Sequence, residues 1–459
     1  MRGEVLLLSR NIKIHGEDRD GWGGQILGTD LFESDGTWRK GSIIMDQVQV
    51  FNCSQKDTYY GSIRFEGHLG GHSRVSNSAV HNGLGMGVVV LNGNNVELVN
   101  NAFVGFRQVG MMLDFVRNCT ITGNFIGDVF VRGIQFIDMT IDKEACVAYS
   151  SYEKDDGSPS YDITFTDNIA AGCPYAGFIA PGHACGDTAQ VNFRNNVAHS
   201  VSGYGAYMYK NPADSSASRC FEVSHFTGYK VSEPCVMTFA QTLEHRANSL
   251  TCIDNEKGLS LNTADQEADE VEITLSSSFI AGETRSLDCP DSANCYCEPK
   301  YGVMTFSNMN DGKPLMPTMA SSLPIYESHG EGNWGGTIVI EDTIFSGFVG
   351  VQKCGQRHVI FERNPKGSDK IPPHTIKNCK FVDVNDSGFA WFEKPDLAWA
   401  NIKDCGDFPC TAPNNMIFTF LSSRFSGATP SVTDSDMTLV PDDETVGGTY
   451  PGCIHLPSS

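Results

Sequence analysis

The 459-residue sequence contains no run of about 20 apolar residues, the length that a membrane-spanning helix needs. We also expect no signal peptide in its first residues, because the apolar start is short and Glu4 interrupts it. Amphipathic heptads and long helical faces are missing, as are a Gly-x-Ser-x-Gly elbow, a Walker loop and a Rossmann fingerprint in a suitable context. These absences argue against helical folds and against the common nucleotide-binding and serine-hydrolase classes.

Paired zinc-ribbon cysteines are absent too, since the nearest approach to C-x-x-C is Cys295-x-Cys297. The 16 cysteines therefore favour disulfides in an oxidising compartment. Disulfide candidates are Cys146, Cys173, Cys185, Cys289, Cys295, Cys297, Cys405 and Cys410. Glycosylation sequons occur at Asn52, Asn118 and Asn385. Because these export features come without a visible export signal, we expect the chain to be a piece of a longer secreted or anchored precursor.

Basic residues are scarce: 33 Lys and Arg stand against 55 Asp and Glu, for a net charge of −22. This balance argues against nucleic acid or an anionic membrane as a partner. The chain is 40% hydrophobic, which is enough for a packed core and excludes wholesale disorder.

Glycine is abundant, with 47 residues, and it recurs. Similar apolar runs follow Gly87, Gly110 and Gly133, which stand 23 residues apart. The same step separates the members of two further series, which are Val75, Leu98 and Ile121, and Ser78, Asn101 and Asn124. In each coil the polar residue precedes the glycine by nine positions, and this offset returns at Asn52/Gly61, Asn168/Gly177, Asn196/Gly205 and Ser249/Gly258.

A 23-residue period of short alternating runs predicts the coils of a parallel β-solenoid. Leu98 and Ile121 would face one narrow interior, and the asparagines would stack between coils as an amide ladder. Glycine would close tight turns because it tolerates positive φ. Neither the leucine-rich-repeat pattern nor the roughly 40-residue period of a propeller is present. We therefore predict an all-β, right-handed parallel β-helix of about a dozen coils.

Longer intervals between the repeats predict the domain organisation. The β-helix should span residues 1–428, with loop insertions at about 142–161 and 288–331 that carry cysteines. Residues 429–459 lose the repeat, become acidic and rich in Pro and Ser, and are expected to form a cap or a linker.

Catalytic chemistry has little support in this pattern. On the 23-residue register Asp114 aligns with Leu91 and Ile137, so no column stacks the two or three acids that hydrolysis or calcium-assisted lysis would favour. The weak catalytic candidates are Glu66, His68, His72 and Asp114. No cofactor or metal is expected. Three acidic runs are expected to be solvated loops, and Ca²⁺ binding is their alternative role; they are Asp155-Asp156, Asp265 to Glu270 and Asp442 to Glu444.

Two further clusters allow more than one interpretation. His68, His72 and His81 either form a metal or acid–base site or are structural. Tyr204, Tyr207 and Tyr209 either form a sugar-stacking strip or pack in the ordinary way.

Several short segments resemble the fibrocystin family of G8-domain plus parallel β-helix proteins. They include the opening Leu6 to Gly16, the Val75 coil, Asn195 to His199, Ser202 to Met208, Val271 to Gly282, 337–350, Lys394 to Leu397 and Asp404 to Cys410. The resemblance implies that the chain belongs to the large ectodomain of a single-pass or secreted protein. Some members of the family are linked with ciliary membranes. Some relatives depolymerise hyaluronan and are expected to carry His-Phe-His where this chain has Arg64-Phe65-Glu66.

We therefore expect an extracellular structural or adhesion module of a cell-surface glycoprotein, on a cilium or another surface. Its partners would be other copies or neighbouring extracellular domains, and glycans as a further option. The sequence leaves open whether the chain is an enzyme. The alternatives are a β-helix glycan-cleaving enzyme, of hyaluronidase or polysaccharide-lyase type, and a non-catalytic glycan-binding module.

Overall fold

The structure is a computed structural model. The chain folds into two compact units, Met1–Ala217 and Ser218–Ser459. Every regular element in the described part is a β-strand. The structure describes residues 5–56, 58–130, 145–150, 161–181, 183–185, 191–209, 220–239, 244–262, 272–282, 301–306, 309–310, 313–314, 337–348, 358–363, 374–382, 390–392, 418–423, 432–440 and 453–455.

The first unit contains 23 strands in its described residues. They are β1 (Ile12–His15), β2 (Ile26–Gly28), β3 (Leu31–Phe32), β4 (Trp38–Arg39), β5 (Ile44–Asp46), β6 (Val48–Phe51), β7 (Ile63–Glu66), β8 (Ser73–Ser76), β9 (Ala79–Gly83), β10 (Val88–Leu91), β11 (Val96–Val99), β12 (Ala102–Phe106), β13 (Met111–Asp114), β14 (Arg117–Thr122), β15 (Phe125–Val129), β16 (Ala145–Ser150), β17 (Tyr161–Thr166), β18 (Ile169–Ala171), β19 (Ala176–Pro181), β20 (His183–Ala184), β21 (Val191–Arg194), β22 (Val197–Val201) and β23 (Tyr204–Tyr209).

Each coil of this unit contributes one strand to each of three parallel sheets. Sheet 1 contains β5, β8, β11, β14, β17 and β21; sheet 2 contains β1, β6, β9, β12, β15, β18 and β22; sheet 3 contains β2, β7, β10, β13, β16, β19 and β23. The chain passes through sheets 1, 2 and 3 in turn and then starts the next coil. This arrangement is a parallel β-helix, as the repeats predict.

Inward-facing residues of the stacked strands form apolar columns. On sheet 1, Val75, Leu98, Ile121, Phe165 and Phe193 lie in register and are all buried. The predicted interior positions of Leu98 and Ile121 are therefore confirmed. On sheet 2 the matching column runs through Val50, Val80, Phe103, Ile126, Ala170 and Ala198. One coil cannot bury these side chains by itself, so each coil depends on its neighbours.

A buried asparagine ladder crosses the corner between sheets 1 and 2. The Asn101 amide nitrogen donates to Asn124 Oδ1 at 3.1 Å, Asn124 to Asn168 Oδ1 at 3.0 Å, and Asn168 to Asn196 Oδ1 at 3.1 Å. The backbone N–H of each of these donors contacts the same oxygen at 3.0 Å. The predicted amide stacking is confirmed, and Ser78 continues it because its backbone N–H donates to Asn101 Oδ1.

Positive backbone φ at this corner belongs mostly to residues other than glycine. The residue before each ladder position has a φ between 49° and 67°, and these residues are Asn77, Asn100, Gly123, Asp167 and Asn195. Asparagine and aspartate tolerate this left-handed conformation better than other side chains do.

Gly87 has a different structural role from the one that the sequence predicts. Its φ is not positive, but a Cβ at this position would lie 2.2 Å from the Gly110 carbonyl oxygen and 2.8 Å from the Phe106 ring. The expectation that this repeated glycine supplies a left-handed turn is therefore wrong: it permits close stacking instead.

The second unit is also built from coils of three strands. Its strands are β24 (Cys220–Ser224), β25 (Thr227–Val231), β26 (Pro234–Phe239), β27 (Glu244–Asn248), β28 (Thr251–Ile253), β29 (Lys257–Asn262), β30 (Glu272–Ser276), β31 (Phe279–Ala281), β32 (Tyr301–Phe306), β33 (Met309–Asn310), β34 (Lys313–Pro314), β35 (Thr337–Glu341), β36 (Ile344–Ser346), β37 (His358–Arg363), β38 (His374–Lys377), β39 (Lys380–Val382), β40 (Ala390–Phe392), β41 (Phe418–Ser423), β42 (Val432–Val440) and β43 (Cys453–His455).

Three parallel sheets organise this unit as well. Sheet 4 contains β24, β27, β30, β35, β38 and β41; sheet 5 contains β25, β28, β31, β36 and β39; sheet 6 contains β26, β29, β32, β37 and β40. In some coils of this unit a hydroxyl side chain takes the place of the ladder asparagine. Ser278 Oγ accepts from the Leu250 backbone N–H at 3.0 Å, and Thr343 Oγ1 accepts from the Ser278 backbone N–H at 3.4 Å. Ser249, which the sequence places in the ladder series, is instead the residue with positive φ that precedes the ladder position.

The structure corrects two details of the predicted repeat. Asp114 pairs with Ser150 of β16, so the alignment of Asp114 with Ile137, which lies outside the described residues, is wrong. Strands β16 and β32 pair within sheets 3 and 6, although they fall inside the predicted insertions 142–161 and 288–331. The insertions are therefore interrupted by coil strands. In 429–459, β42 and β43 pair antiparallel, which ends the parallel order.

We expect Asn124→Ala to lower the free energy of unfolding by about 3 kcal/mol. The substitution removes the acceptor of the Asn101 N–H groups and the donor to the Leu98 carbonyl, and an unsatisfied buried polar group costs about 1–3 kcal/mol. Urea denaturation followed by circular dichroism measures the change. Thr164→Ala, at a half-buried outward position of β17, is the matched control and should cost well under half as much; equal losses would contradict a special role for the ladder.

Candidate functional site

The four weak catalytic candidates lie at the corner where sheet 3 passes into sheet 1, but they do not converge on one point. Glu66 ends β7 and Asp114 ends β13, while His68 and His72 lie between β7 and β8. Glu66 and Asp114 both pair with Leu91, which lies between them in the register. Two strand spacings place their backbones about 9.6 Å apart.

Arg64 neutralises the Glu66 carboxylate. The two side chains form an ion pair on the outer face of β7, and the Arg64 guanidinium lies 4.5 Å from the centre of the Tyr60 ring. Because the Arg64 side chain is only 11% exposed, the pair is partly shielded from water. The Glu66 carboxylate is therefore engaged by a neighbouring side chain of its own strand.

Asp30 and His68 form a buried pair behind this surface, with Asp30 Oδ1 3.6 Å from His68 Nδ1. The Asp30 carboxylate accepts four hydrogen bonds, from the backbone N–H groups of Gly41, Leu69 and Gly70 and from the Trp38 indole, at 2.7–3.1 Å. Burial alone would raise the pKa of Asp30, but these hydrogen bonds outweigh it and hold the pKa below its usual value.

Burial lowers the pKa of the His68 imidazole, and this effect outweighs the nearby Asp30 carboxylate, which raises it. The His68 side chain is fully buried, and its ring contacts Phe65 at a centroid distance of 5.8 Å. His68 therefore has no access to a substrate from solvent.

The buried carboxylate anchors an exposed hairpin formed by β3 and β4. Phe32 and Trp38 pair across it with their rings stacked at 5.4 Å, and the Lys40 ammonium lies 4.9 Å from the Trp38 ring centre. Phe32 is 65% exposed and Trp38 41%. A Cβ on Gly70 would lie 2.3 Å from Trp38, so glycine is required where the indole rests on the chain.

The sequence reasoning missed this aromatic hairpin. Asp35-Gly36 between two short apolar segments is a hairpin signal that was available. The hairpin is connected to His68 through Asp30, and these residues are far apart in the chain. No short sequence motif indicates such a contact.

The other predicted histidines have separate partners. His72 is exposed, with Nε2 3.0 Å from Glu97 Oε1 on sheet 1. His81 is buried on sheet 2, where its ring stacks on Phe51 and its Nε2 lies 2.9 Å from Gln49 Nε2. Within the described ranges, no group of three or more His, Cys, Asp or Glu side chains is placed to hold a metal ion. The three acidic runs proposed for Ca²⁺ lie outside those ranges.

Tyr204 and Tyr207 of β23 pack against neighbouring rings, and the side chain of Tyr209 lies outside what the structure describes. Tyr204 is buried and meets Tyr175 and Tyr207 edge-on at 5.5 and 5.8 Å. Burial raises the pKa of Tyr207. This arrangement favours ordinary packing of Tyr204 over a sugar-stacking strip.

Cysteines in the described part divide into disulfide-bonded ones and thiols. Cys235 and Cys252 form a disulfide in the interior of the second unit, with their Cα atoms 5.9 Å apart. A Cβ on Gly228 would lie 2.5 Å from Cys235 Sγ, so this glycine makes room for the bond. Cys173, Cys185 and Cys220 are also disulfide-bonded, whereas Cys53, Cys119 and Cys379 are buried thiols.

The remaining cysteine candidates are not described in enough detail to assign. The side chain of Cys146 and the whole of Cys289, Cys295, Cys297, Cys405 and Cys410 lie outside what the structure describes, and so does the sequon at Asn385. No helix in the described residues is long and apolar enough to cross a membrane.

The stacked three-sheet coils define a class, the right-handed parallel β-helix proteins. The family described as "Right handed beta helix region" matches residues 43–221, so the predicted fold class is confirmed. Over 94% of its length the chain is similar to fibrocystin-L, with 24% identity to the human protein and 22% to the mouse protein. The resemblance to that family is confirmed, while its G8 part remains an expectation. The chain spans only 11% of the length of these relatives.

Among solved structures, the chain is similar to PfbA, a surface adhesin of Streptococcus pneumoniae, at 9% identity and a TM-score of 0.36, over 91% of this chain and 87% of that one. It is also similar to the Siphovirus 9NA tailspike receptor binding domain, at 10% identity and a TM-score of 0.24, over 94% of this chain and 71% of that one.

We expect the first unit to lose stability as the pH falls below about 6.5. His68 has a lowered pKa in the folded chain, so the unfolded chain binds the extra proton and acid favours unfolding. One such proton changes the free energy of unfolding by at most about 1.4 kcal/mol per pH unit. Urea denaturation followed by tryptophan fluorescence at several pH values measures the slope.

The comparison that isolates this residue is His68→Asn against Thr164→Ala. His68→Asn should flatten the pH slope, whereas Thr164→Ala, which removes no titratable group, should leave it unchanged. Burial lowers the pKa of His81 as well, so some slope should persist in both variants. An unaltered slope in His68→Asn would contradict the assignment.

Proposed function

We propose that the chain forms an extracellular structural and adhesion module of a cell-surface glycoprotein. The observation that carries the proposal is the disulfide-bonded β-helix interior, exemplified by Cys235 and Cys252. Disulfides of this kind persist in oxidising compartments. The similarity to fibrocystin-L over 94% of the chain supports the same class of protein.

The β-helix construction suits a structural role. Stacked coils present long, regular outer faces, and solenoids use such faces as binding surfaces. At the corner between sheets 3 and 1, the exposed Phe32 and Trp38 rings rest on a rigid anchor. Preorganised aromatic side chains are typical of recognition surfaces because little conformational entropy is lost on binding.

Two finer parts belong to the proposal. One is placement on a ciliary membrane, and the other is assembly with further copies or neighbouring ectodomains. Both rest on the resemblance of the sequence motifs to the fibrocystin family. Immunolocalisation of the native protein tests the first, and its size in detergent extracts tests the second.

We expect the chain to be labelled at the surface of intact cells by a membrane-impermeant biotinylation reagent. Peptide mass spectrometry of the labelled fraction without reduction should recover Cys235 linked to Cys252, with Cys53 and Cys119 as free thiols. The buried thiols serve as an internal control against oxidation during handling. Recovery of the chain only from the unlabelled cytosol, with Cys235 and Cys252 reduced, would refute the proposal.

A glycan-cleaving activity is the second candidate, because Glu66 and Asp114 share one column of sheet 3. Their backbone separation of about 9.6 Å approaches the range of about 6.5–9.5 Å between the carboxyl groups of inverting glycosidases. Against it stand Leu91 between the two acids and the ion pair of Glu66 with Arg64. Calcium dependence belongs to this candidate as well.

We expect no cleavage when the chain is incubated with hyaluronan, pectin or alginate, with or without calcium. The reason is that the Glu66 carboxylate is paired with Arg64 and His68 is buried. Assays for new reducing ends and for unsaturated products measure the outcome. Activity that disappears in both Glu66→Gln and Asp114→Asn, but persists in His72→Gln, would establish the enzyme instead.

A further inference from the structure

We propose that Asn118 carries an N-linked glycan at the corner between sheets 3 and 1; this inference rests on the extracellular location proposed above. Asn118 belongs to the sequon Asn118-Cys119-Thr120 on β14. Its side chain is exposed, in contrast to the buried asparagines of the ladder. The chemical class of the modification is therefore an oligosaccharide on an amide nitrogen.

The strand geometry places both recognition residues of this sequon on the outer face. Side chains alternate along a β-strand, and Cys119 between them points inward, where burial raises the pKa of its thiol to about 11. Thr120 lies opposite Glu97 and Thr164 on the outside of sheet 1. A glycan at Asn118 thus projects into solvent without disturbing the core.

A hydrogen bond holds the Asn118 amide in this orientation and survives the modification. Asn118 Nδ2 donates to Asn94 Oδ1 at 2.8 Å, and Asn94 Nδ2 in turn donates to the Leu69 carbonyl at 3.0 Å. An N-linked amide keeps one of its two hydrogens, which is enough for the bond to Asn94. The folded chain therefore accommodates the sugar and positions it.

The transfer balances with a polyprenyl-diphosphate oligosaccharide as the donor. The bond between the sugar C1 and the diphosphate oxygen breaks, and a bond from C1 to Asn118 Nδ2 forms. Nδ2 loses one proton, and the polyprenyl diphosphate leaves with the electron pair of the broken bond. No oxidation or reduction occurs.

The sequon at Asn52 differs at its hydroxyl residue and in the surroundings of its asparagine. Ser54 is buried, and its hydroxyl accepts a hydrogen bond from the Gly85 backbone N–H at 2.8 Å. The Asn52 carbonyl oxygen faces the first coil so closely that a Cβ on Gly16 would lie 2.3 Å from it. The hydroxyl of Ser54 is explained by packing, so we assign the glycan to Asn118.

A glycan here would shield this corner at the level of β14. Asn95, Asn118 and Asp162 all have positive φ and occupy the same place in successive coils. The sugar would restrict lateral contact in these coils and leave the β3–β4 hairpin, which lies in an earlier coil between β2 and β5, and the outer faces of sheets 2 and 3 for partners.

The test expresses the complete chain behind a cleavable signal peptide in mammalian cells. Tryptic peptides are analysed before and after treatment with peptide N-glycosidase, which converts a glycosylated asparagine to aspartate. We expect Asn118 to be converted, and the gel shift caused by its sugar to vanish in Asn118→Gln and in Thr120→Val. Thr164→Val, at the equivalent outward position of the next coil, should keep the shift.

Chain retained inside the cells is analysed as well, because the sugar is added before folding is complete. An unmodified Asn118 in both fractions would overturn this inference and leave the surface-module proposal standing. The added signal peptide makes the two separable: surface biotinylation of the native protein decides its location independently of whether Asn118 accepts a glycan.

Discussion

The buried amide ladder from Asn101 to Asn196 is the interaction on which the β-helix of the first unit depends. From Asn124 onward each Oδ1 accepts both the side-chain and the backbone N–H of the preceding asparagine, and each Nδ2 also donates to a backbone carbonyl, as Asn124 does to Leu98. Such groups would be costly if left unpaired in an apolar interior. The ladder therefore forces successive coils into one register, and the apolar columns follow from that register.

This constraint separates a fixed corner from a variable one. Between sheets 1 and 2, from β8 to β22, the chain always turns within two residues, such as 77–78 and 195–196. In the coils that the structure describes, the corner between sheets 3 and 1 shows no comparable buried ladder, and its length varies: 92–95 in one coil, and a stretch that contains the β3–β4 hairpin in another. Exposed features gather there because insertions at that corner leave the ladder intact.

The same constraint explains what the sequence could predict. The interval of 23 residues between Ser78, Asn101 and Asn124 is visible because the ladder tolerates few side chains, and it identified the fold and the interior. The position of the sheet 3 strand that follows Asp128 could not be predicted, although Asn168 and Asn196 were placed correctly. The motif at Gly133 keeps the period, yet β16 supplies the next strand of sheet 3. A short glycine-containing apolar motif has no partner that fixes its position.

The contacts of Asp30 and His68 fit the recognition surface that we propose for this corner. Four N–H donors occupy the Asp30 carboxylate and lower its pKa, so it is a weak base, and His68 is sealed behind it. What the pair does achieve is to hold Trp38 against Gly70 while leaving much of the ring exposed. A buried polar anchor under an exposed aromatic pair fixes a surface without supplying a reactive group. Contact with another molecule is the function such a surface can perform.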